Sequence, residues 1–384
     1  MAERSLELLR DYVSIPSVNP MGRDDLPAAI TGERRYAEHL AAQLRRLHLD
    51  AAVIGTGERA SVVAEARPAG ARGAPLLVAS HLDTVPVDGM EIAPFDPHLA
   101  AGRLYGRGAC DTKGGMAALV AALERVLARG TLRRPLVVVG EADEEFGSAG
   151  VHDVLAHLGA ARPAWALATE PTGLRVVTHH KGIAELRLEA HGRAGHSSAP
   201  EAGRNAIYAL ARAALALAGL AERLAARRDP ALGPATLSVG RVGGGHAFNV
   251  VPDHAWLVAD RRLLPGEDAT NVRREVEAVL RDAGLADDVA LTHLEARKPA
   301  LATDPAAPCV RACRAALAAA GCDAPPAAAG FATDAGVFAA RGIPAVVLGP
   351  GSIEQAHTAR EWVALDQVAA MEELFARLLE TPAA

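Results

Sequence analysis

Five short groups of acids and histidines stand at the ends of apolar runs: His81-Leu82-Asp83, Asp111, Asp143-Glu144-Glu145, Glu170 and His357. Imidazoles and carboxylates gathered at the carboxyl ends of buried strands suit hard or borderline metal ions held at the open edge of an α/β sheet. That chemistry implies an enzyme. A strand places residues 81 and 83 on one side, and a ligand histidine usually gives its second ring proton to an acceptor that fixes its tautomer. His81 backed by Asp83 fits this arrangement; a capped strand end with a solvated His and Asp fits it equally.

Asp111 follows the loop Gly106-Arg107-Gly108-Ala109-Cys110 and precedes a strong helical stretch. Neither a G-x-G-x-x-G nor a G-x-x-x-x-G-K-[ST] pattern is present, so nucleotide binding gains no support. With two oxygens, Asp111 can bridge two cations or cap the helix. The run Val137-Val138-Val139-Gly140 leads directly into Asp143-Glu144-Glu145, which in isolation reads as a solvated turn. Crowded carboxylates raise one another's pKa unless cations compensate. Two divalent cations, three carboxylate ligands and one hydroxide would cancel in charge, whereas the same acids buried without cations would be costly to ionise.

Positioning such groups requires buried strands with helices over them. Helical periodicity runs through 32–47, 114–129, 204–220, 269–284, 305–320 and 365–379, with short β-type runs at 75–80, 135–140, 165–169 and 344–348. These predict an α/β domain with a mostly parallel sheet covered by helices. Between 178 and 296 the order becomes β-α-β-β-α-β, the pattern of a ferredoxin-like split βαβ unit. The expected division is a discontinuous catalytic domain, 1–177 with 297–384, and an inserted α+β lid, 178–296, with hinges near 178–182 and 293–298.

The chain has 384 residues and a formal net charge of -6 with acids and bases interspersed. This leaves no basic stripe for nucleic acid and no polybasic membrane segment. No apolar run reaches the roughly 18 residues of a membrane span, and the N-terminus lacks the apolar core of a signal peptide. Four cysteines are too few for a disulfide scaffold and point to the reducing cytoplasm. Cys309 and Cys313, four apart in an alanine-rich helix, read as packed thiols. A small-molecule substrate is the default expectation.

Seven segments, taken together, resemble the M20 metallopeptidase family, which includes acetylornithine deacetylase, succinyl-diaminopimelate desuccinylase, aminoacylase and carboxypeptidase G. They are S-H-L-D-T-V-P at 80–86, L-Y-G-R-G-A-C-D-T-K-G-G at 104–115, D-E-E-F-G at 143–147 and A-T-E-P-T at 168–172, followed by G-R-A-G-H-S-S-A-P at 192–200, G-G-G-H-A-F-N-V-V-P-D at 243–253 and G-P-G-S-I-E-Q-A-H-T at 349–358. The resemblance implies a zinc-exopeptidase-like fold and two divalent metal ions, zinc first, with cobalt or manganese as substitutes. Asp111 would bridge them. One ion would also take His81 and Glu170, the other Glu145 and His357.

Glu144 would be the general base, with a metal-bridging hydroxide as nucleophile, and Asp83 would support His81. A cis peptide is implied at Asp111–Thr112. His196 would reach into the active site of the partner subunit of a homodimer joined through the lid; taken alone, it reads as an ordinary turn or surface residue. Asn249 and Arg262 would contact substrate, Arg262 gripping a carboxylate, and Thr333 and Gly351 would line its carboxylate site. Thr333 and Asp334 serve equally well as helix caps.

Glu170, His180-Lys181-Gly182 and the G-P-G-S-I-E-Q-A-H run lean toward the acetylornithine deacetylase branch, while Arg360 departs from the acidic or amide residue often found there. The expected activity is hydrolysis of the amide bond of an N-acyl amino acid. The alternatives are a dipeptidase or carboxypeptidase built on the same centre and, in another class, a metal-dependent binding protein without catalysis.

Overall fold

The computed structural model describes residues 3–160, 162–322 and 324–383. The chain forms two compact units. The first comprises Met1–Thr178, Thr303–Ala327 and Thr333–Ala384; the second comprises His179–Ala302 and Ala328–Ala332.

The first unit is built on a mixed sheet with four parallel strands at its centre. In spatial order these are Leu136–Glu141, Leu76–His81, Trp165–Ala168 and Ala345–Val347. The strands Asp50–Ile54 and Ser61–Ala66 extend one side antiparallel. The sequence reading misses both, although Ala51–Ile54 and Val62–Ala64 are short apolar runs. Every residue of Leu76–His81 and Leu136–Glu141 is buried, as expected of strands covered on both faces.

Helices Gly114–Arg129, Leu365–Glu380, Glu3–Ser14 and Pro308–Ala319 pack into one layer. The sequence of the first, GGMAALVAALERVLAR, is apolar almost all round, and it is buried throughout 114–123. Such a helix belongs at the centre of a packed layer. It ends at Gly130, whose φ of 64° provides the left-handed turn that closes the helix. Tyr12, Leu40, Val78, Leu119, Val138 and Phe375 belong to one continuous core.

The second unit is a ferredoxin-like α+β sandwich. Its four antiparallel strands lie in the order Thr236–Gly244, His254–Leu263, Gly182–His191 and Val289–Lys298. Helices Ala206–Ala225 and Ala269–Asp282 share its core with the alternate residues Ala184, Leu186, Leu188 and Ala190. Asn205 caps the first helix, and Asp268 and Asn271 form a reciprocal capping box on the second. The strand Gly182–His191 alternates between buried and more open positions, so its odd-numbered side chains form the face opposite the helices. No helix among the described residues is long and apolar enough to cross a membrane.

Candidate active site

Register brings the chemical groups of the first unit together. His81 pairs with Glu141 across one parallel ladder, and Ala79 pairs with Ala168 across the next. The three strands therefore end at one edge, where the segments carrying Asp83, Asp143 to Glu145 and Glu170 begin. Asp111 enters from the buried turn Ala109–Lys113, with a cis peptide between Asp111 and Thr112. Thr112 Oγ1 donates to the His81 carbonyl at 3.3 Å, which ties that turn to the strand end.

The two oxygens of Asp111 face different histidines. His81 Nε2 lies 2.9 Å from Oδ1, while His357 Nε2 lies 3.3 Å from Oδ2 and 3.1 Å from Glu145 Oε1. His81, Asp111 and Glu145 bring one donor atom each within 4.8 Å of one another, and so do His81, Glu144 and Glu170. Donors sharing a tetrahedral zinc, at about 2.0–2.2 Å from the ion, stand roughly 3.3–3.6 Å apart. The observed separations of 2.9–3.3 Å lie at or just below that value, and the chemistry of the donor set fits divalent cations.

The electrostatics support the same fit. Burial first, and then the neighbouring Asp111 charge, push Glu145 up to about 7 despite the pull of His357. Burial also opposes the charge of Asp111, yet His357 and His81 hold its carboxyl well below the usual range. Asp111 and Glu145 in turn raise His357 to about 10. These acids draw protons onto the imidazoles, and positive charge at this place is what divalent cations would supply.

Asp83 does more than stand behind His81. His81 Nδ1 is 2.9 Å from the Asp83 carbonyl and 3.5 Å from its Oδ1. The Asp83 carboxylate instead accepts the backbone amides of Glu144 at 3.1 Å and Glu145 at 3.0 Å. It thus orients both the imidazole and the turn that presents the two glutamates. Asn19 Nδ2 donates to Asp83 at 2.8 Å and to Asp143 at 3.0 Å. Asp143, at φ 64°, also meets Arg59 at 3.2 Å, and its amide donates to Glu33 Oε1 at 3.2 Å.

Asn19, Glu33 and Arg59 escaped the sequence reading, because their partners at the site lie far along the chain. Buried Lys113 escaped it too; its Nζ donates to the carbonyls of Tyr12 and Ile15 and anchors the first helix beneath the site. The Arg107–Glu361 ion pair, 2.7 Å long and almost wholly buried, had one available signal, an acid close behind the last histidine.

Thr333 is buried, and its Oγ1 accepts the amide of Ala335 at 3.2 Å, which is a helix-capping contact. Asp334 makes no such cap. Gly351 has φ 89°, and a Cβ there would collide with Cys110 Sγ, next to Asp111. It is a close-packing position against the loop that carries Asp111, and its amide donates to Gln367 Oε1 at 2.7 Å.

The second unit carries the remaining three candidates. His196 pairs with Val250, and the Ser197 amide donates to the Asn249 carbonyl at 3.1 Å, so His196 and Asn249 are neighbours on one short ladder. The His196 ring is exposed, with Nδ1 2.7 Å from Ser198 Oγ. Arg262 lies apart from them on the long strand, its Nε donating to Asp260 at 2.9 Å.

Residues 77–381 match the model of peptidase family M20/M25/M40. An acetylornithine deacetylase from Myxococcus xanthus is 34% identical over 355 residues, covering 90% of this chain and 88% of that protein. An N-acetyl-L-citrulline deacetylase from Xanthomonas campestris pv. campestris is 33% identical over 396 residues, covering 98% and 97%. Among solved structures, an M20 family metallo-carboxypeptidase from Sulfolobus solfataricus has a TM-score of 0.81 over 98% of this chain and 99% of that one. At 21% identity, that likeness is one of fold alone.

Proposed function

The chain belongs to peptidase family M20/M25/M40, and from that premise we propose that it hydrolyses the amide bond of an N-acyl amino acid resembling N-acetylornithine or N-acetylcitrulline. The observation that carries the reading is Asp111, whose two oxygens face His81 and His357 separately, in a chain alignable with two deacetylases over almost its whole length. His81 and Glu170 would hold one divalent cation and Glu145 and His357 the other, with Asp111 shared. The mixed imidazole and carboxylate donors favour zinc, with cobalt and manganese as substitutes. When bound, two such cations acidify water and polarise a carbonyl.

The protein's own groups supply the proton transfers. Glu144 is buried, close to His81 and Glu170, and its backbone is held by Asp83. It accepts the proton of the attacking water and returns it to the departing amide nitrogen, as a general base that becomes a general acid. Asp83 keeps His81 and Glu144 in place while that proton moves. In the second unit, Arg262 would bind the substrate carboxylate, while His196 and Asn249 would meet the acyl group or the oxyanion. His196 would act across a homodimer, in the partner's site. Thr333 and Gly351 would shape the carboxylate end, Gly351 through its contact with the Asp111 loop. All four cysteines are free, which supports a reducing compartment such as the cytoplasm.

The test is a panel of N-acyl amino acids and dipeptides assayed after chelation and after adding back zinc, cobalt or manganese. Deacylation that vanishes on chelation and returns with metal is the expected result. Turnover insensitive to chelation, or turnover confined to dipeptides, would overturn the substrate reading.

A further inference from the structure

The second unit holds a separate group of potential ligands on the sheet face opposite its helices. His191 ends the strand Gly182–His191 and sits directly across the antiparallel ladder from His254, while Glu189, two residues earlier, is paired with Trp256. Alternation along both strands turns Glu189, His191, His254 and Trp256 to this one face. His191 is exposed, and Glu189 and His254 are partly so. We infer that His191, His254 and Glu189 form a binding site for one transition-metal ion of the zinc, copper or nickel type, distinct from the centre built around Asp111.

The geometry supports a shared ion. His254 Nε2 is 2.9 Å from Glu189 Oε2, the two imidazole rings have centroids 5.3 Å apart, and one donor atom from each residue falls within 4.8 Å of the others. Small side-chain rotations bring three such donors to the roughly 3.3 Å separation of a common ion. Two imidazoles and one carboxylate select borderline metals over calcium or magnesium. Exposure leaves room for water to complete the coordination.

Glu189 is prepared for this role. Arg187 Nε donates to its Oε1 at 2.6 Å, which leaves Oε2 turned toward His254. Asp288, whose carbonyl accepts the His191 amide, has its own carboxylate engaged by Arg204 at 3.0 Å and does not compete for the ion. An ordinary cross-strand ion pair would account for Glu189 and His254. The ring contact with His254 would account for His191, and a shared ion adds a ligand role that the variants below test.

Trp256, on the same face and opposite Glu189, is a built-in reporter, because bound Cu²⁺ quenches a nearby indole. The full chain is titrated with Cu²⁺ while tryptophan fluorescence is followed, with Zn²⁺ as competitor. The expected result is saturable quenching that Zn²⁺ reverses. Trp256→Phe should lose it, and His191→Asn should raise its midpoint at least about tenfold, the lower bound for loss of metal-orienting groups. His191→Asn leaves the His254–Glu189 pair intact, so it separates metal ligation from a structural ion pair. Metal analysis should show one fewer ion per chain in a His191→Asn/His254→Asn variant with unchanged circular dichroism. Quenching or metal content unaltered in that variant would overturn the proposal.

Discussion

Glu361 holds Asp111 by its backbone: Oε1 accepts the Asp111 amide at 3.1 Å, and the adjacent Cys110 amide at 3.0 Å. The short strand Trp362–Ala364, paired with Arg103–Tyr105, delivers Glu361 to this loop, and Arg107 neutralises its other oxygen. The carboxylate that faces both histidines is therefore aimed from a position 250 residues away.

Glu361→Gln leaves one acceptor oxygen, which can serve either Arg107 or the two amides of the Asp111 loop but not both. Outer groups that orient metal ligands typically contribute 10–100-fold to metal affinity or activity. A loss of about that size is expected in the metal concentration that restores activity to chelated enzyme. An unchanged activation curve would deny Glu361 its positioning role.

Glu144→Gln removes the proposed proton carrier and leaves the proposed ligands untouched. Turnover should fall by at least about 10²–10⁴, the usual contribution of general acid–base catalysis, while metal content by elemental analysis stays at the wild-type level. Near-normal hydrolysis by metal-replete Glu144→Gln would remove Glu144 from the mechanism.

Asn19→Ala takes a donor away from two buried carboxylates, Asp83 and Asp143. Both acids keep their other partners, so the loss is that of hydrogen bonds to charged acceptors, about 1.5–3 kcal/mol, to be read as a lower urea midpoint. Asn19→Asp should be worse, because it adds a third acid to the cluster. Equal stability of all three proteins would show that the network tolerates its loss.

His180 gives a pH signature. Burial, reinforced by Lys298, lowers it from 6.5 to about 4, against an opposing hydrogen bond to the Lys181 carbonyl. A histidine depressed in the folded state binds its proton more readily when unfolded, so its stabilising contribution is present above pH 6.5 and is lost as pH falls toward 4. His180→Gln should flatten the decline in melting temperature between those pH values. An identical decline in the variant would assign acid sensitivity to other groups.

Sharing of sites across a homodimer is tested by mixing His196→Ala with Glu144→Gln. If His196 serves the partner's centre, heterodimers recover activity that neither parent shows. Verified heterodimers with no recovery would place His196 within its own chain's site or outside catalysis.

Much of the molecule is legible before folding, where the signal is local. The periodicity at 114–129 and 365–379 corresponds to helices Gly114–Arg129 and Leu365–Glu380. The apolar runs before His81, Asp143 and Glu170 correspond to central strands. Asp50–Ile54 was not legible, since its short apolar run begins with two alanines, which carry little β preference.

Residue type and strand-end position thus determined that this chain concentrates metal-compatible donors at one sheet edge, because alternation and apolar runs are properties of neighbouring residues. Only the tertiary structure decided which oxygen of Asp111 meets which histidine, that Asp83 grips the amides of Glu144 and Glu145, and that Asn19 and Glu361 brace the cluster. Those relationships join segments 30 to 250 residues apart. They depend on strand order, register and packing, which no local pattern encodes.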